Sequence, residues 1–295
     1  MSGTTVGQAV EVVSQRKTPK ELVKTYESSF AAVLPSHITR PETWIRVAQG
    51  ALKKGKVADD GTGRTELEVA ASNNPGVFLA TLLDCARQGL EPGTEQYYLT
   101  ARKVKGQLQI LGIRGYQGEI ELMYRAGAVS SVIAEAVYTN DTFSYQPGRD
   151  EIPNHEIDWD SADRGKLRLV YAYARMKDGG YSKVIVLNRA AIEDIKKFAQ
   201  GTSSQYSPWN TAEEAMWLKS ALHRLQKFVP TSPEYRQALL EGKVARETVT
   251  AEIRMADPSI DVPDEAPGEV DYGDDADVIE AEVVEDGDPS AEFFE

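Results

Sequence analysis

The stretch from Asn74 to Gly127 passes from helix to strand and back to helix, and so restricts the chain to a fold that mixes the two. Asn74 precedes Pro75, a residue suited to a first helical turn, and VFLATLLDCARQ then reads as a core helix that Gly89 closes. Strands over 96–104 and 107–113, joined by a tight turn at Lys105 and Gly106, have the pattern of a β-hairpin. The Gly-punctuated turn IRGYQGE leads into a short helix, Glu119 to Arg125, that stops at Gly127. The same stretch is basic and aromatic. Arg102, Lys103, Lys105, Arg114 and Arg125 supply fixed charge, and Tyr97, Tyr98 and Tyr116 supply flat rings, a combination that suits an unpaired nucleic-acid strand. A merely solvated hairpin has the same composition, so the pattern alone leaves both readings open.

The flanking segments predict more helices and strands. Thr18, Pro19 and Glu21 form a capping box ahead of a helix that carries Leu22, Tyr26, Phe30 and Val33 on one face and ends near Leu34. A second box, Thr39 with Glu42, predicts a helix through Trp44, Ile45, Ala48 and Leu52. Strands are expected at 129–138, 141–145, 167–176 and 181–187, the last two joined by a turn at Lys177 to Gly180. Helices are expected from Asn188 and, through a box at Thr211 and Glu214, from Thr211 to Phe228. The predicted class is therefore α+β: a central antiparallel β-sheet with a β-hairpin and packed helices, a helical N-terminal part and a disordered acidic C-terminal tail. The expected divisions are an N-terminal helical region (1–60), an α+β core (61–235), a connecting segment (236–256) and the tail (257–295).

Net charge is −13 over 295 residues, which by itself argues against a polyanionic ligand. Yet residues 257–295 hold sixteen of the 46 acidic residues and no Lys or Arg, so residues 1–256 carry 33 basic against 30 acidic residues, a net of about +3. The acidity belongs to the tail, and the body remains able to bind phosphate. Tail composition, with four prolines and few large apolar residues, does not offset ordering entropy. It reads as a solvated segment or, through its acidic run ending in Phe293 and Phe294, as an imitation of DNA. The single Cys85 in an apolar helical run reads as a small buried hydrophobe. Residues 1–17 lack an apolar run behind a basic start, and no stretch approaches 18 apolar residues, so the cytoplasm is expected and a membrane is not.

Several chemistries find no support. GxxxxGK[ST] is absent, and GTGR at Gly61 is too short to replace it, so an ATP-driven recombinase is not predicted. His37, His155 and His223 are widely spaced and offer no zinc-ligand spacing. Asp150, Glu151, Asp158, Asp160 and Asp163 cluster around His155 and Trp159 in a long loop, where they could hold Mg²⁺ for phosphodiester hydrolysis. A metal-dependent nuclease is thus one alternative, and an acidic DNA-mimic inhibitor is another.

Five stretches in order carry a resemblance: LPSHITRPETWIRVAQGAL, FLATLLDCARQGLEPGT with YYLT, IRGYQGEIELMYRAGAVSS, VYAYARMKDGG, and SPWNTAEEAMWLKSALHRLQKFVP. Over about residues 34–235 the chain resembles the RecT family of phage and prophage single-strand annealing proteins. The resemblance implies ATP-independent binding of single-stranded DNA and annealing to a complementary strand. It further implies a basic groove, assembly into rings or helical filaments, a phage 5′ to 3′ exonuclease beside it, and the host single-stranded-DNA-binding protein as a partner. The chain departs from the family pattern at Gln117, Leu218 and His223, where a basic residue is expected. No resident cofactor is expected, and a Mg²⁺ dependence of annealing stays open.

Annealing requires contacts that ignore sequence and leave base edges available. The residues expected to line the groove are Arg102, Lys103, Lys105, Arg114, Lys183, Arg189, Lys196, Lys197, Lys219, Arg224 and Lys227, with Tyr116 and Gln117 at the turn. The hairpin would form one wall, and the helices of Arg189 and Lys219 the other. Tyr26, Phe30, Trp44 and Ile45 are expected at a subunit contact, or else as a cap on their own core.

Overall fold

The computed structural model describes residues 17–38, 40–104, 106–198, 207–230 and 232–267. In chain order these form α1 (Pro19–Thr25), α2 (Glu27–Val33), α3 (Pro41–Ala51), α4 (Glu66–Asn73), α5 (Pro75–Arg87), β1 (Tyr97–Val104), β2 (Gln107–Arg114) and α6 (Tyr116–Arg125). Then come β3 (Val129–Tyr138), β4 (Thr142–Ser144), β5 (Asn154–Glu156), β6 (Leu167–Met176), β7 (Ile185–Asn188), α7 (Arg189–Phe198), α8 (Pro208–Thr211), α9 (Glu213–Gln226) and α10 (Pro233–Ala256). β3, β6 and β7 make a three-stranded antiparallel sheet in that order, and β1–β2 and β4–β5 are antiparallel hairpins. The expected α+β class, with its antiparallel sheet and separate hairpin, is the observed one. Among the described residues no helix is long and apolar enough to cross a membrane.

Local chemistry explains where helices start. Thr18 and Glu21 form the expected capping box, and Asn74 caps α5 by accepting from the Val77 amide at 3.1 Å. The first helix breaks at Tyr26, whose φ of −102° and ψ of 25° leave the helical region and divide it into α1 and α2. Two expected boxes are not the caps. Thr39 lies outside the described residues, and α3 starts after Arg40 with no side-chain cap. Thr211 ends α8, its hydroxyl donating to the Ser207 carbonyl at 3.2 Å, and α9 starts after Ala212. A box that the sequence reading missed, Thr65 with Glu68, opens α4.

Two apolar cores result. The first joins α1–α5, the β1–β2 hairpin, α10 and the segment around Ile260 and Val262. The second lies between one face of the β3–β6–β7 sheet and the helices α7 and α9. On the opposite sheet face, Phe143 of β4 packs over Val137, Leu169 and Tyr171. Cys85 is fully buried, as expected of a small hydrophobe, and burial pushes its thiol pKa well up.

Two findings correct the expected C-terminal half. Residues 233–256, expected in part as a connecting segment, are the long helix α10, which buries Val249 and Ile253 in the first core. The acidic stretch does not begin as disordered chain at Asp257: residues 257–267 run back over α5 and α10, with Ile260 at 6% and Val262 at 0% exposure. Arg254 fastens this strap, donating to the Val262 carbonyl and to the Asp264 carboxylate, the latter at 2.8 Å. Residues 268–295, the rest of the expected tail, lie outside the described residues.

Candidate nucleic-acid interface

The β1–β2 register decides which hairpin side chains share a face. Tyr97 pairs with Arg114, Leu99 with Gly112, Ala101 with Ile110 and Lys103 with Leu108, and this is the face packed on the first core. Arg102, opposite Gln109, projects from the other face together with Tyr98 and Val104. Arg102 and Lys103, expected to line one wall, are therefore separated by the pleat. Lys105 lies outside the described residues.

Arg114 is the hairpin cation that reaches the second core. Its guanidinium donates to the Gln88 and Gln226 side-chain oxygens, both at 3.2 Å, and its Nε lies 3.8 Å from Glu119. Glu119 is only 1% exposed, and its other neighbour is His223, whose Nδ1 lies 2.6 Å from the carboxylate. Arg114, Glu119 and His223 thus tie β2, α6 and α9 together around a buried charge. His223, where a basic residue was expected, is engaged in this clamp.

The turn before α6 is fixed by close approach. A Cβ on Gly115 would lie 2.0 Å from the Glu95 carbonyl oxygen, and one on Gly118 would lie 2.3 Å from that of Gln96. Only glycine fits at either position. Tyr116 is consequently held at the helix start, partly exposed, and its hydroxyl accepts from the Gln117 amide at 3.1 Å.

The other expected cations are spread over the second core. On α9, Lys219 and Arg224 are half-buried and Lys227 is exposed at its end, while Trp217, Ala221, Leu222 and Leu225 are buried in the second core. Lys183 sits 4.2 Å from the ring centre of Phe228. Arg189 is a structural clamp: it pairs with Glu213 at 2.9 Å, donates to the Leu167 carbonyl at 3.0 Å and lies over the Trp217 ring. Lys196 and Lys197 pair along α7 with Glu193 and Asp194. The Lys197 pair is exposed and worth a few tenths of a kcal/mol, whereas the Lys196 side chain is mostly covered and also lies over the Trp209 ring.

The N-terminal aromatic set is not on the surface. Tyr26, Phe30, Trp44 and Ile45 are all buried, Phe30 and Trp44 pack at 5.6 Å between ring centres, and the Trp44 indole donates to the Leu90 carbonyl at 2.7 Å. They cap their own core because their apolar area finds α5 and α10 within the same chain.

A cavity of about 850 Å³ opens where the two cores meet. Arg87, Arg114, His223, Lys243 and Arg246 line it, opposed by Asp84, Glu119, Glu247 and the strap residues Asp264 and Glu265. Sequence reading missed Lys243 and Arg246 because the segment was not read as a helix. Arg246 is 4% exposed and lies 2.8 Å from Asp84, though off the hydrogen-bond axis.

The acidic loop does not converge on a metal position. Asp150 pairs with Arg149, Asp158 accepts from the Asp160 amide and Asp163 from the Gly165 amide. His155 turns inward, 3.2 Å from both Asp141 and the Tyr171 hydroxyl. Among the described residues no group of three metal-ligating side chains forms.

This sheet, hairpin and helix arrangement falls within a known family, since residues 56–254 match the RecT family. The chain belongs to the RecT family. The match runs from the loop before α4 almost to the end of α10 and so spans both cores. The chain is 32% identical over 221 residues to Protein RecT of Escherichia coli (strain K12), covering 72% of this chain and 75% of that protein. It is also 27% identical over 146 residues to the Uncharacterized protein YqaK of Bacillus subtilis (strain 168), covering 49% of this chain and 48% of that one. It is accordingly a recombination protein of the single-strand annealing type.

Proposed function

We propose that this RecT-family chain binds single-stranded DNA without sequence preference and anneals it to a complementary strand without ATP, as a ring or helical filament of many copies. The observation that carries the reading is the run of cationic and aromatic groups along α6, α9 and the approach to β7. Lys219 and Arg224 lie on α9 and Lys227 caps its end, Lys183 lies beside Phe228, and Tyr116 with Gln117 lies at the first turn of α6. A helix start that carries a flat ring suits phosphate and an unstacked base together. Lys103 of the hairpin extends it, and Lys196 and Lys197 of α7 release their weak pairs to phosphate. Arg114 and Arg189 hold the elements in place and contribute charge at their exposed edges.

A body of about +3 binds a long strand tightly only when many copies add their contacts, so assembly belongs to the mechanism. A phage 5′ to 3′ exonuclease would supply the single strand, and the host single-stranded-DNA-binding protein would be met on it, in the cytoplasm. Complementary oligonucleotides mixed with the protein in the absence of nucleotide should anneal faster than alone. Affinity for oligo-dT should fall with salt by a log–log slope of about −0.7 per phosphate contacted. An affinity indifferent to salt would remove the phosphate-binding reading.

A further inference from the structure

Of the four tryptophans, Trp44, Trp209 and Trp217 are buried, whereas Trp159 is 80% exposed. The loop that presents it is built rather than slack. The Ser161 amide donates to the Asp158 carbonyl at 3.3 Å, Asn140 donates to the Asp163 carbonyl at 3.1 Å, and Arg164 is locked to Asp141 at 2.6 Å. A large ring carried on a loop whose backbone is already fixed spares the ordering of that loop on docking, and tryptophan is prominent among residues that dominate protein interfaces. Its neighbours Glu156, Asp158, Asp160 and Asp163 are exposed and anionic, which repels nucleic acid and favours a protein surface that is apolar and cationic.

This chain carries such a surface. The outer hairpin face presents Tyr98 and Val104, 41% and 40% exposed, with the half-buried Leu111 and Ile113 and the guanidinium of Arg102. No carboxylate occurs from Gln96 through Gly118. We propose that the Trp159 loop of one copy docks on the outer face of the β1–β2 hairpin of a second copy, its indole on the apolar side chains and Asp158 or Asp160 against Arg102. The contact rests on the oligomeric reading above and gives it a surface. Because loop and hairpin are different patches, the contact is heterologous and repeats head to tail into a ring or filament. It leaves Lys103 on the opposite hairpin face, and α9, open to DNA.

Trp159 is its own reporter, since the other three indoles are already shielded. As protein concentration rises and light scattering records assembly, Trp159 emission should shift to the blue and acrylamide quenching should decrease. Trp159→Ala and Val104→Glu should each weaken self-association at least about tenfold. Mixed in equal amounts at a concentration where each alone is monomeric, they should form a dimer and nothing longer, since one intact loop and one intact hairpin remain. Oligomers in which Trp159 stays fully open to quencher, variants that assemble like the parent, or a mixture that stays monomeric would each overturn the contact. A parent that never assembles overturns the oligomeric reading with it. Oligo-dT binding by the same parent samples reports on the DNA reading separately.

Discussion

At the scale of single residues, charge in this molecule is spent on joining elements as much as on binding. Asp141 shows the balance most clearly. The Arg164 guanidinium, against the cost of burial, together with the Tyr138 amide and His155, lowers its carboxyl pKa to about 2 from an ordinary 3.8. A carboxyl that ionises more easily folded than unfolded stabilises the fold at every pH above both values, and the benefit fades as pH falls from about 4 toward 2. At neutral pH it amounts to on the order of 2 kcal/mol. Arg164→Met removes the main cause, so the carboxyl should titrate at higher pH and the acid unfolding midpoint should rise. Carboxyl chemical shifts followed by NMR against pH, beside circular dichroism, measure both; an unmoved Asp141 titration would contradict the assignment. The sequence did not announce this residue, because Asp141, His155 and Arg164 are brought together only by the β4–β5 hairpin and the turn before β6.

At the scale of elements, legibility followed the range of the forces involved. The α5 helix, the hairpin, α7 and β6 were readable because Asn74, the turn at Gly106 and the alternation of Leu169, Tyr171 and Tyr173 act within a few residues. The pleat that sets Arg102 against Lys103 was equally local, and period-two counting alone would have separated them. The strap was not readable: composition says that 257–267 is acidic and proline-rich, and burial of Ile260 and Val262 depends on a groove made by distant helices. Gly76 belongs to that groove, since a Cβ there would lie 1.7 Å from the Asp261 carbonyl oxygen. Gly76→Ala should therefore undock the strap, seen as new protease cleavage or faster amide exchange within 257–267, while the sheet stays protected. Cutting the chain after Ala256 should destabilise the first core by about 2 to 4 kcal/mol in urea through exposure of the sites that Ile260 and Val262 fill. Cutting after Pro267 should leave that stability unchanged. Equal stability of the two truncations would mean that the strap adds nothing to the core.

At the scale of the whole molecule, the strap decides where the remaining acidic charge is attached. Asp264, Glu265 and Pro267 stand at the cavity that Arg87, Arg114, Lys243 and Arg246 line, so the point to which residues 268–295 are joined shares a cavity with Arg114. They hold twelve of the sixteen acidic residues of the C-terminal stretch, and their removal changes the net charge from −13 to −1. Attached charge at this point offsets the field that draws a polyanion toward α9, an effect that operates over about a Debye length of 10 Å at 0.1 M salt and farther below it. A chain ended at Pro267 should therefore associate with oligo-dT faster than the full chain at low salt, and the two rates should converge as salt rises. Stopped-flow fluorescence on labelled oligo-dT at two ionic strengths separates this from a loss of folding, which would slow association at both. Equal rates at low salt would show that the acidic residues act on something other than the approach of DNA.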